Sequence, residues 1–205
     1  MLEIVPYSLN GPIEGRLRAI LERRGSLPAE VEEAVAGILA DVRARGDAAV
    51  AEYTRRFDGV SLTPSQFRVP AQALDDARQA ADPELMAAIA EAAANIRAFH
   101  ERQRVNSWFM EDGDGVILGK KVTPIGRVGI CVPGGAAPLL SSLLMAAVPA
   151  QVAGVDQICV VTPPQLSGLP HPDLLATARF LDLDEVYGIG GAQAVAALAY
   201  GTDAI

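Results

Sequence analysis

Two glycine-rich segments have the residue types and placement to do chemistry: Pro133-Gly134-Gly135, and Gly190-Gly191-Ala192-Gln193. Each stands between an apolar, β-branched run and a helical stretch. Glycine lets a backbone approach a phosphate or carboxylate closely beside a helix N-terminus. In open parallel sheets ligands bind at the carboxyl ends of the strands, so the two loops would share one edge of a sheet. The alternative is that each glycine pair only makes a tight strand-to-helix turn. Neither loop is a G-x-G-x-x-G or a P-loop, so the pattern alone names no ligand. Gln193 brings two donors and an acceptor to an otherwise apolar stretch, fit either to fix the polar edge of a ligand or to sit exposed in a first helical turn. Cys131, just before the first loop, could line the same cleft, but no base is placed to make its thiol a nucleophile.

Other reactive groups are sparse. The two histidines, His100 and His171, belong to no ligand motif and read as structural or exposed. Ser141-Ser142 lies where a helix begins and reads as a cap, since no G-x-S-x-G surrounds it. The acidic run Asp182, Asp184, Glu185 reads as a solvated turn.

The elements that must position these residues follow from periodicity. Helical spacing runs from Ile13 to Arg24 and from Ala29 to Arg45, with Gly46 as a C-terminal cap. Asp47 is expected to cap a third helix that stops at Asp58-Gly59. A short strand is expected over Phe67 to Val69, and Asp82-Pro83 opens a long helix to about Arg104. Residues 112–126 read as a hairpin or extended connector. RVGICV, QICVVTP and DEVYGIG are then three buried-type strands, separated by helices at Leu139 to Ala153 and Pro172 to Leu181 and followed by GAQAVAALAY. That alternation predicts an α/β fold: a mostly helical region over 1–126, then a Rossmann-like parallel sheet with crossover helices over 127–205.

Composition sets the outer bounds. The chain has 205 residues, half of them hydrophobic, with 17 Lys+Arg against 25 Asp+Glu and a net charge of -8. Such a chain buries a real core, which excludes disorder and a disulfide-stapled miniprotein. The acidic balance argues against nucleic acid and anionic membrane surfaces as partners. Residues 127–205 hold only Arg127 and Arg179 against six acids, so the second part is the more buried kind of sequence. Cys131 and Cys159 lie in apolar runs and read as buried thiols of a reducing compartment, which predicts a cytoplasmic protein. MLEIVPYSLN lacks the pattern of a signal peptide, and no apolar run approaches the roughly 18 residues of a membrane span.

The segments DVRARGDAAVAEYTRRFDG, AFHERQ, GRVGICVPGGAAPLLSSLLMAAVPAQVAGV, VVTPP and VYGIGGAQAVAALAYGT together resemble the N-terminal half of the histidinol dehydrogenase family. The resemblance implies a homodimer with two incomplete Rossmann-like domains. It also implies NAD-dependent, zinc-requiring oxidation of L-histidinol through L-histidinal to L-histidine. It assigns NAD contacts to Gly134, Gly135, Gln193 and the position of Cys131, where the family usually carries a tyrosine. The family's catalytic Glu-His pair and its zinc-binding Gln, His, Asp and His have no counterparts in these 205 residues, so catalytic and metal residues are expected to be missing. The resemblance therefore predicts a fragment or truncated relative, inactive alone, with an exposed apolar patch and self-association. The competing readings are a relative acting on another small alcohol, such as a sulfonated diol, and a noncatalytic truncated paralogue.

Overall fold

The computed structural model describes Arg18, residues 28–134 and residues 138–205, which fall into two compact units, 1–37 and 38–205. In the first unit the opening turns of helix α1 (Ala29–Arg45) are described, with Glu30 and Glu32 near the positive end of the helix dipole. The helix expected over Ile13 to Arg24 lies outside the described residues, apart from Arg18, which is helical. Gly135 also lies outside them.

The second unit is a three-layer sandwich built around a short parallel sheet. Gly46 takes a left-handed φ of 55° and ends α1, its N–H donating to the Val42 carbonyl at 2.8 Å. Helix α2 (Asp47–Asp58) stops at Gly59, φ 72°. Asp47 is not its cap as expected: it occupies the first helical position, and its Oδ2 instead accepts from the Ala204 N–H at 3.1 Å. The chain from Phe67 to Val69 runs antiparallel to the last strand, with Val69 N–H donating to Val186 O and Gly188 N–H to Phe67 O.

Helix α3 (Ala71–Ala80) was not foreseen, because its apolar face, Ala73, Leu74 and Ala77, is built mostly of alanine in a segment otherwise polar and charged. Asp82 caps helix α4 (Pro83–Glu101) as expected, its side chain accepting from the Glu84 N–H at 3.0 Å. The connector is a hairpin that begins upstream of the expected segment: β1 (Trp108–Asp112) pairs antiparallel with β2 (Val116–Lys120).

Strands β3 (Arg127–Cys131), β4 (Gln157–Val161) and β5 (Glu185–Tyr187) are parallel in the order β3-β4-β5, as the alternating pattern predicted. Helices α5 (Leu140–Ala153), α6 (Pro172–Phe180) and α7 (Gly191–Tyr200) connect or follow them. Side chains alternate across the sheet. Val160 and Val186 join Leu74, Ile89, Leu143 and Leu174 from α3, α4, α5 and α6 in one core, while Cys159 and Val161 face α2 and α7 in another. The helical region and the sheet therefore share their cores. Ser141 and Ser142 do not cap α5: Leu139 holds the cap position and both serines lie inside the first turn.

Candidate functional site at the carboxyl edge of the sheet

Both glycine loops close on one side chain that the sequence reading passed over, Pro163, at the end of β4. A Cβ on Gly134 would lie 2.8 Å from the Pro163 ring, and one on Gly190 only 2.3 Å from it. Neither residue has a left-handed φ, so a tight turn is not what demands glycine here. The demand comes from close approach, and the neighbour approached is the proline. Gly191 is different, since its φ of 67° does call for glycine.

A Cβ on Gly191 would lie 2.7 Å from Gln193 Oε1, so the amide folds back over Gly191. Gln193 is only 1% exposed, which removes the reading of an exposed first-turn residue. Among the described residues, neither its Nε2 nor its Oε1 has a hydrogen-bond partner. Leaving such a group buried and unsatisfied costs about 1–3 kcal/mol, and most buried polar atoms avoid it. The amide stands in the first turn of a helix on the carboxyl side of the parallel sheet, with its donors and its acceptor unused by the described residues.

Beside it, Gly134, Thr162, Pro163, Gln165 and His171 line a cavity of about 90 Å³. Gln193 is not among the lining residues, so Gly134 and Gln193 meet through Gly190 and Pro163 rather than directly. His171 caps α6, its Nδ1 accepting from the Asp173 N–H at 3.3 Å. Sequence reasoning missed Thr162, Pro163 and His171 as site residues. The signals were the placement of VVTPP at the end of the central strand and a His-Pro pair opening a helix.

Cys131 corrects an expectation, since it is exposed while Cys159 is buried. The two cysteines point to the same side of the sheet, but Cys159 lies on the central strand β4, whereas Cys131 ends β3, which has a strand neighbour on one side only. Desolvation still pushes the Cys131 thiol up, and burial, aided by the Glu185 charge, pushes Cys159 up to about 11. Both thiols are protonated at neutral pH and are poor nucleophiles. The acidic run is solvated as expected at Asp182 and Asp184, which are exposed, and it also carries ion pairs: Asp184 with Arg179 at 3.0 Å and Glu185 with Arg127 at 2.7 Å. Among the described residues, no group of three His, Cys, Asp or Glu side chains could hold a metal ion. None of the described helices is long and apolar enough to cross a membrane.

Comparison with known proteins gives this geometry a context. The family model described as histidinol dehydrogenase matches residues 21–205. The histidinol dehydrogenase of Geobacillus kaustophilus is 48% identical over 193 residues, covering 93% of this chain and 45% of the relative. That of Syntrophotalea carbinolica is 49% identical over 193 residues, covering 92% and 44%. The crystal structure of histidinol dehydrogenase from Elizabethkingia anophelis superposes with a TM-score of 0.82 at 35% identity, covering 92% of this chain and 43% of that one. The chain thus spans under half the length of the relatives it matches.

Proposed function

The chain belongs to the histidinol dehydrogenase family, and from that premise we propose that it forms one wall of the NAD site of an enzyme oxidising L-histidinol to L-histidine by way of L-histidinal. The observation that carries the reading is the buried amide of Gln193, whose two polar atoms lack partners among the described residues. NAD, when bound, supplies the hydride acceptor. Gln193 would give that ligand a donor and an acceptor at the start of α7, in surroundings apolar enough to exclude water from the contact. Gly134 and Gly190, both packed against the ring of Pro163, hold the two loops close together, and Gly135 is assigned to the same NAD-binding segment by the family resemblance alone. Cys131 marks one border of the wall, where it offers less stacking surface than an aromatic ring.

Removing hydride from an alcohol also requires a base within hydrogen-bond reach of the hydroxyl. None of the residues assigned to this wall fills that role. The described residues do not fit zinc, so no step is assigned to a metal here. The reading therefore has these 205 residues binding NAD weakly and turning over no histidinol alone, in a cytoplasmic protein that acts as a homodimer.

The test is a titration of the chain, and of the full-length enzyme, with NAD, together with NADH absorbance after adding histidinol and zinc. Gln193→Leu should weaken NAD binding on the order of tenfold, the cost of losing a hydrogen-bonded contact. Equal affinity in the variant, or sustained turnover by the 205 residues alone, would refute the reading.

A further inference from the structure

The sheet's hydrogen-bond ladder ends one residue past the last paired strand positions. Cys131 stands opposite Val161 and Val161 opposite Tyr187, after which Val132 N–H still donates to Val161 O at 2.9 Å and Thr162 N–H to Tyr187 O at 3.2 Å. The next residues are Pro133 and Pro163, and neither has an N–H with which to continue. Beyond that point packing must hold the loops. Gly134 and Gly190 lie three residues past Cys131 and Tyr187, at the same offset in the loops that leave the two outer strands. For each glycine, the three nearest atoms that a Cβ would meet all belong to the Pro163 ring, so both outer loops lean on one side chain of the central loop. That side chain is stiff, because a proline ring has no free rotamer and locks its own φ. Gly190 is buried at the cap position of α7 and precedes Gly191, over which the Gln193 amide folds back. A short chain of contacts therefore joins the Pro163 ring to the unpartnered amide.

From this we infer that Pro163 is a positioning residue for the NAD site: its ring sets the spacing between the Gly134 loop and the start of α7, and through Gly190 it sets where the Gln193 amide meets the ligand. The inference rests on the NAD reading above. It adds that affinity depends on a ring that itself offers no hydrogen bond. A ligand bridging two loops binds best when their spacing is fixed before it arrives, because no binding free energy then goes into ordering them. A methyl group at Gly190 would drive α7 away from the central loop, whereas trimming Pro163 to alanine would leave the two outer loops without their common stop. The two changes act on the same gap in opposite senses. Combined, the added methyl enters the space the ring has left.

The experiment is a double-mutant cycle in the full-length enzyme, with NAD affinity read by titration calorimetry in the absence of histidinol, and with steady-state kinetics and urea unfolding beside it. Gly190→Ala should weaken NAD binding on the order of tenfold and Pro163→Ala roughly threefold, and the loss should appear in KM for NAD rather than in KM for histidinol. The double variant should bind NAD about as well as Pro163→Ala alone, recovering most of what Gly190→Ala loses. A purely structural role would move the urea midpoint and leave the NAD affinity of the folded protein unchanged. Losses that multiply in the double variant would mean that Pro163 touches NAD directly or acts independently of Gly190, and would overturn the inference. Should Gly190→Ala fail to fold, wild-type affinity in Pro163→Ala overturns it by itself. Gln193→Leu separates this inference from the reading beneath it. If Gln193→Leu weakens binding while the Pro163 and Gly190 variants bind like wild type, the NAD site stands and the positioning role falls; if Gln193→Leu also binds like wild type, both fall.

Discussion

Strands β4 and β2 make an instructive pair, five residues each and both apolar, QICVV and VILGK. β4 lies between two parallel neighbours with helices on both faces, and its last three residues are buried. β2 has one neighbour, no described residue covers either of its faces, and all five of its residues are exposed. Their apolar content expresses the same need for cover. In β4 the crossover helices of the same chain meet that need, and in β2 no described segment does. Apolar strand composition thus reports that burial is required, and the topology decides who provides it.

The most forceful way to break this contrast is to place a charge in each strand. Val160 is fully buried in β4, and an unpaired carboxylate there has neither water nor partner. Val160→Asp should cost more than about 4 kcal/mol and leave no cooperative unfolding transition. Ile117→Asp, on the hairpin face away from Met110 and Leu118, should change urea stability by no more than about 0.5 kcal/mol. A large loss from the Ile117 change would mean the hairpin is covered within the monomer.

Close packing at the covered edge gives the next effect. Gly190→Ala must push the Pro163 ring aside and should destabilise by about 1–3 kcal/mol. Gly126→Ala, with open space around its Cβ and no left-handed φ, should be neutral within about 0.5 kcal/mol. Urea denaturation of both variants checks the difference. Equal effects would show that the loop at Gly190 yields easily and does not hold the wall.

Much of the covered region was legible because its signals are local and repeated. The runs RVGICV, QICVVTP and DEVYGIG, each followed by a helix, sufficed for a parallel sheet, and Asp82-Pro83 and Gly59 marked helix ends by their own chemistry. The misses depend on partners distant in sequence. Asp47 looked like a cap but binds the backbone of Ala204, 157 residues away. Cys131 looked as buried as Cys159, and only the strand order shows that it sits on the outer strand. Gly134 and Gly190 were recognised as special, but the reason, the ring of Pro163 between them, becomes visible only when three loops are brought to one edge. α3 was missed because its apolar face is small, Leu74 with Ala73 and Ala77, and shows its purpose only where it docks on α6.

The buried amide sharpens the comparison in the opposite direction, since here the cover is complete and the occupant is polar. Without ligand, Gln193 has two unsatisfied atoms, so Gln193→Leu should raise stability by about 1 kcal/mol in urea, even as it weakens NAD binding. A loss of stability would show that the amide is already satisfied in the free protein.

The smallest effect asks whether the covered layer resists charge as it resists unpaired polar groups. Asp58 ends α2, where the helix dipole is negative, and its Oδ2 is buried with no partner among the described residues. Desolvation raises its carboxyl above the ordinary value of 3.8. The folded chain then holds this proton more tightly than the unfolded chain, so the stability it allows is full below pH 3.8 and falls as the pH rises through the elevated value. At neutral pH the ionised form is a small penalty, kept small because the side chain still reaches water. Asp58→Asn should therefore stabilise the protein at pH 7 by roughly 0.5 kcal/mol, the size of a carboxylate removed from a helix C-terminus. The gain should fade toward zero near pH 3, where wild-type Asp58 is itself neutral. Urea unfolding of both proteins at the two pH values decides it, and a gain of the same size at both would show that shape or hydrogen bonding, not charge, limits this position.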